Sequence, residues 1–214
     1  MPLNLKLGGN AVPHIRWMAS TSSWNYSSEA GQQPFQFGQA IFDLAQVRTG
    51  WGWFTENEAP QWVWDPSIAE PVSRPPEGEW KRGFRVMVLM PKDFGTERLR
   101  EFATTGTGAV MGIDALYTAY EELSAQHPGK VPVVAFRSAT PTKVGKGQTC
   151  VPNFEIVGWV ERPEGLDQAS EPQGQTAQPT AMTPAATPVA PPAPVPAPAA
   201  PQPAQPDPML ETQF

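Results

Sequence analysis

From Phe35 onward, apolar and polar residues alternate in short runs separated by turn-forming positions, the period-two signature of half-buried strands. In FQFGQAIFDLAQV, Phe35, Phe37, Ile41 and Val47 share one parity and Phe42 and Leu44 the other. This predicts a strand that changes face partway, through a bulge near Gly38. Gly50 and Gly52 bracket Trp51, and Trp53 follows, as expected of a turn or bulge that presents these rings. Gln61–Trp64 predicts another short strand, closed by Asp65-Pro66, and the four prolines of residues 66–79 predict a loop. Gly83–Met90 is the strongest strand pattern. It is apolar on most of both faces and should be central to a sheet.

Helical patterning is limited. Thr96 is placed to cap ERLREFATT, with Glu97 in the first turn. Val110–Gln126 sets Ile113, Leu116, Tyr120 and Leu123 on one stripe, which His127-Pro128-Gly129 ends. GTGAVMG (106–112) lacks the Lys-Ser/Thr ending of a phosphate loop and reads as a flexible connection. Strands resume at Val131–Arg137 and Phe154–Arg162, with the polar loop TPTKVGKGQT between them. The first thirty residues form an extended arm or a first strand, whose Trp17 and Trp24 pack a sheet face. Strands, a helical insertion and further strands, without βαβ alternation, predict a mainly β fold with a helical insertion. The expected architecture is an OB-like small antiparallel β-barrel, with a β-sandwich as its rival.

Composition divides the chain. Residues 166–214 hold 13 Pro and 11 Ala, no Trp or Tyr, and a single Phe at the end. That is too little apolar area to offset the entropy of ordering, so a disordered tail is expected. The expected domains are 1–165 as the barrel, 166–206 as a Pro/Ala-rich linker and 207–214 as an acidic-apolar tip. All 15 Lys and Arg lie at or before Arg162, against 17 acids up to Gly165, a balance of −2. Asp167, Glu171, Asp207 and Glu211 supply the remaining −4 of the net −6. A body this close to neutral lacks the strongly basic footprint of a duplex-DNA binder. Cys150 is the sole cysteine, so no intramolecular disulfide can form, and it reads as a small apolar filler. No secretory h-region and no membrane-length apolar run stands out, so a soluble, cytoplasmic protein is expected.

Catalytic chemistry finds little support. The two histidines, His14 and His127, and the one cysteine lack metal-site spacing, and no nucleophile elbow or phosphate loop is evident. Asp43 and Asp65 are the candidate carboxylates, although such residues in a β-rich domain are mostly solvated. The expectation is a non-enzyme without a metal or cofactor.

Aromatic richness beside basic residues points elsewhere. Eight Trp are several times the ordinary frequency, and rings that stack on bases, with cations that track phosphates, are what holds a single strand. The candidate stacking rings are Trp51, Trp53, Trp62, Trp64 and Trp80; the competing reading for each is that it fills the core. The candidate phosphate contacts are Arg74, Lys81, Arg82, Arg85, Lys143 and Lys146. The tip, with Asp207, Met209, Leu210, Glu211 and Phe214, suits docking into an apolar pocket rimmed by basic residues on a partner; the alternative is an inert tail end.

Together the tip QPDPMLETQF, the Pro-rich linker and the aromatic-basic strands resemble the single-stranded DNA-binding proteins of bacteria and their phages. VPNFEIVGWVERP also looks like the last strand of small phage proteins of this kind. The resemblance implies an OB-fold barrel on single-stranded DNA and a tip that recruits replication, recombination and repair proteins. The chain departs from that pattern in having only Asp207 and Glu211 in the tip, and Gln213 before Phe214. The competing class is a non-enzymatic structural or adaptor protein, such as a virion or assembly component. A carbohydrate-binding module would also use exposed Trp.

Overall fold

The computed structural model describes residues 12–28, 31–55, 60–95 and 97–167. In chain order the strands are β1 Ile15–Met18, β2 Ser23–Ser28, β3 Gly31–Phe35, β4 Gln39–Phe42, β5 Arg48–Trp53, β6 Gln61–Trp64, β7 Lys81–Leu89, β8 Leu99–Thr104, β9 Lys130–Val144 and β10 Gly147–Glu161. Helix α1 spans Thr107–Ser124 and a short α2 spans Glu164–Asp167. The fold is mainly antiparallel β, as the alternation predicts. Among the described residues no helix is long and apolar enough to cross a membrane.

The 81–89 strand is central as its two-faced apolar pattern demands. One edge of β7 pairs with β8, and the other takes β4 near Val88–Leu89 and β5 along Lys81–Arg85. β4 and β5 are thus one strand path, interrupted by a 3-10 turn at Leu44–Gln46, and Gly38 is not a bulge within one strand but lies in the connection from β3 to β4, which belong to different sheets. The other side of that path pairs β4 with β9 and β5 with β6, and β9 carries the long β10 hairpin.

Among the described residues β8 and β10 form no ladder with each other, so hydrogen bonding does not close the expected barrel there. The three-stranded sheet β1–β2–β3 lies against both edges instead. His14 bridges to Glu101 of β8, and the Trp17 indole donates to the Cys150 carbonyl of β10 at 2.9 Å. Trp24, only 2 % exposed, centres the core, with the rings of Trp17, Phe35, Phe37, Phe102, Phe136 and Phe154 within 5.0–6.4 Å. The first Trp residues therefore do pack a sheet face, within strands.

Several local expectations are corrected. ERLREFATT holds strand β8 in place of a helix, because Arg100 and Phe102 both turn inward at period two. Arg100 lies over the Tyr26 and Phe94 rings and donates to the Ser27 carbonyl, which brings a charged residue to the inner face. Thr96, its expected cap, lies outside the described residues. GTGAVMG is the first turns of α1, not a connection. A Cβ at Gly112 would stand 2.6 Å from the Pro152 carbonyl, so glycine lets the helix seat directly on β10. TPTKVGKGQT is strand on both sides of a tight turn at Gly145-Lys146, where Gly145 has φ +56°. Asp43 is fully buried in a bidentate pair with Arg162, at 2.6 and 2.8 Å, rather than solvated. Leu166 of α2 is also fully buried, packed with Met87 and Val131.

Candidate nucleic-acid interface

The register of β5 decides what the tryptophans can do. Gly50 lies opposite Trp64 and Gly52 opposite Trp62, whereas Trp51 lies opposite Val63. Since side chains alternate faces, Trp62 and Trp64 share one face of the sheet and Trp51 and Trp53 take the other. The four rings are not presented together. Gly50 and Gly52 sit inside a regular strand, not in the expected turn or bulge.

The Trp62–Trp64 face is the one turned away from the Phe84, Val86 and Val88 side chains of the main core. Its middle row is Trp64, Gly50 and Gly83 across three strands. A Cβ on Gly83 would stand 2.9 Å from the Trp62 ring, and one on Gly52 3.0 Å from it. The glycines thus form a trough into which the Trp62 indole leans. Beside it Trp64 stacks in parallel, with centroids 4.4 Å apart and planes 7° from coplanar. Phe54, 44 % exposed, meets Trp62 edge-on at 5.7 Å, and the Arg48 guanidinium sits 4.9 Å from the Trp64 centroid. In the next row Arg48 lies directly opposite Arg85, and Lys81 lies opposite Gly52. Arg85 pairs with Glu101 at 2.8 Å. Burial, and then the neighbouring charge of Arg85, hold the Arg48 guanidinium below its ordinary value.

On the opposite face the rings are structural. The Trp51 indole donates to the Val72 carbonyl at 2.9 Å, and Trp53 packs on Trp80 at 5.7 Å, closing the loop of residues 66–80 over the sheet. Asp65 holds that closure. Its side chain, 1 % exposed, accepts from both Arg82 terminal nitrogens at 2.9 and 2.6 Å, from the Val72 amide and from the Thr49 hydroxyl. The Arg82 hydrogen bonds, reinforced by Thr49 and Val72 and opposed by burial, bring its carboxyl down to about 2. Asp65 is thus buried and paired, and Arg82 is bound to Asp65 on the loop-covered face.

The remaining candidates are dispersed. Arg74 is exposed in the loop, its guanidinium 3.5 Å from the Gly78 carbonyl. Lys143 and Lys146 are exposed at the far end of the β9–β10 hairpin. The tip residues Asp207, Met209, Leu210, Glu211 and Phe214 lie outside the described residues. The structure thus groups Trp62, Trp64, Lys81 and Arg85. It adds Arg48, Phe54 and Gly83, which the sequence did not single out, and makes Gly50 and Gly52, expected in a turn, part of a strand floor. The glycines opposite WxW were the available signal, but only a known register makes them one. Compared with known proteins, the chain matches no family model, no curated protein and no solved structure.

Proposed function

We propose that the protein binds single-stranded DNA through the outer face of β5, β6 and β7, as a phage or bacterial protein of replication or recombination, on an OB-like scaffold. The observation that carries this reading is the parallel Trp62–Trp64 stack standing on glycines and flanked by Arg48, Lys81 and Arg85. Indole edges and cations side by side on one sheet surface match the two requirements of sequence-tolerant single-strand binding, ring contact and phosphate neutralisation. The acidic-apolar tip, as a recruiting peptide for partner proteins, belongs to the same reading.

A second reading is favoured by one specific feature. Arg48 already lies over the Trp64 ring and Phe54 packs at right angles to Trp62, as in a self-contained packed cluster of a structural or adaptor protein. Titrating the full chain with an oligo-dT strand, following tryptophan emission, separates the two. Single-strand binding predicts quenching that weakens as salt rises, a much weaker response to duplex, and a loss of about 1–3 kcal/mol for each of Trp62→Ala and Trp64→Ala. No quenching and no mobility shift at low salt would leave the adaptor reading standing.

A further inference from the structure

The row beside the tryptophan stack contains an arrangement that works against the fold on its own. Arg48 and Arg85 are direct cross-strand partners, and like charges placed opposite each other destabilise an antiparallel pair. Only Arg85 has a carboxylate, Glu101, at 2.8 Å. Among the described residues Arg48 has no ion pair, and its guanidinium is held over Trp64. Neither guanidinium is free in solvent; the Arg85 side chain is 16 % exposed. The pair has one carboxylate, Glu101 on the β8 side of Arg85, and so carries an excess positive charge next to an aromatic stack.

We propose that Arg48 and Arg85 form a phosphate clamp for one phosphodiester of a bound strand, with Glu101 as the internal counter-ion that the phosphate displaces from Arg85. The inference rests on the single-strand reading and adds to it a residue, Arg48, and a competitor, Glu101. Guanidinium forks match tetrahedral oxyanions bidentately, which a lysine ammonium does not. A phosphodiester seated between the two forks relieves their repulsion and places its flanking nucleotide beside the Trp64 edge. Glu101 holds Arg85 in position in the unliganded protein, and its removal makes the second guanidinium available to the strand.

The experiment uses the full chain, a fluorescently labelled oligo-dT read by anisotropy across a salt series, and the variants Arg48→Gln and Glu101→Gln. Arg48→Gln should bind about tenfold more weakly, as expected for the loss of a charge-assisted contact. Its salt dependence should be shallower by about 0.7 in log–log slope, one phosphate contact on a single strand. Glu101→Gln should bind several-fold more tightly, as the carboxylate that occupies Arg85 is lost. A second measurement follows the melting temperature in sodium phosphate against sodium chloride of equal ionic strength. Phosphate stabilises folded proteins generally by exclusion from their surface, so the wild type and Glu101→Gln should gain clearly more than Arg48→Gln does.

Oligo-dT binding indifferent to both substitutions would overturn the clamp while leaving the strand reading intact. Absent oligo-dT binding, with a phosphate stabilisation that depends on Arg48, would overturn the strand reading and leave an anion site. Neither response in the wild type would overturn both.

Discussion

Replacing Asp65 by Asn tests the account of the loop-covered face most directly. Asp65 accepts from four donors, two of them on one guanidinium, with its side chain 1 % exposed. A carboxyl held at about 2 instead of its ordinary 3.8 stabilises the folded state by about 2 kcal/mol at neutral pH. Asn keeps the shape but turns an amide NH2 toward at least one of those donors. Removing one member of a buried pair costs about 3–5 kcal/mol. Here the Arg82 side chain is 36 % exposed and can turn to water. The expected loss for Asp65→Asn is therefore about 2–3 kcal/mol.

The assay is urea unfolding followed by tryptophan emission, for wild type and Asp65→Asn at several pH values. Asp65 is depressed in the folded state, so its contribution is complete above the unfolded-state value of 3.8 and is lost as pH falls through about 2. The stability difference should be flat from pH 7 to about 5 and about 1 kcal/mol smaller at pH 3. A difference under about 0.5 kcal/mol at pH 6, or one that stays constant down to pH 3, would mean that the ionised Asp65 does not hold the loop closed. Oligo-dT binding should survive in the variant, because Trp51 and Trp53 lie on the other face from Trp62 and Trp64.

Two further substitutions test the glycine trough and the last helix. Gly83→Val would set its Cβ 2.5 Å from the Thr104 carbonyl and 2.9 Å from the Trp62 ring. It should cost about 1–3 kcal/mol and weaken the exciton signal of the Trp62–Trp64 pair in circular dichroism; an unchanged signal would mean that the trough does not position the stack. Leu166→Ala should cost about 2 kcal/mol, because the side chain is fully buried against Met87 and Val131. Urea unfolding checks it, and a loss near zero would mean that α2 is not part of the folded body.

The fold was legible where one period dominates a segment. Gln61–Trp64 is a strand whose alternating rings are bounded by turn residues, and Lys81–Leu89 is one whose short apolar run on both faces marks a central strand. The errors fall where tertiary contact overrides local preference. ERLREFATT carries helix-friendly charges, yet Phe102 and Arg100 both find inner-face partners only in a strand. Gly108 and Gly112 lower helix propensity, yet α1 needs residues that small to reach β10. The candidate site was half legible for a related reason. Alternation shows that Trp62 and Trp64 share a face, and separately that Trp51 and Trp53 do. It does not give the cross-strand register, and here the offset sets each WxW ring opposite a glycine, a valine or a glutamine, not another Trp.

That register also bears on the proposed strand-binding face. Glycine inside a strand forfeits side-chain packing and weakens it, and here Gly50, Gly52 and Gly83 cluster on one face of adjacent strands. The next row places Arg48 against Arg85, a second local cost, within reach of the same tryptophans. The Trp62 ring filling the trough accounts for the first cost, since Gly52 and Gly83 are what allow it to lie there. It does not account for the second, because nothing in the packing of Trp62 requires an arginine at both 48 and 85. Sequences tend to break local rules where function demands it. On the clamp proposal this row, more than the aromatic rings, is what an anionic ligand would engage.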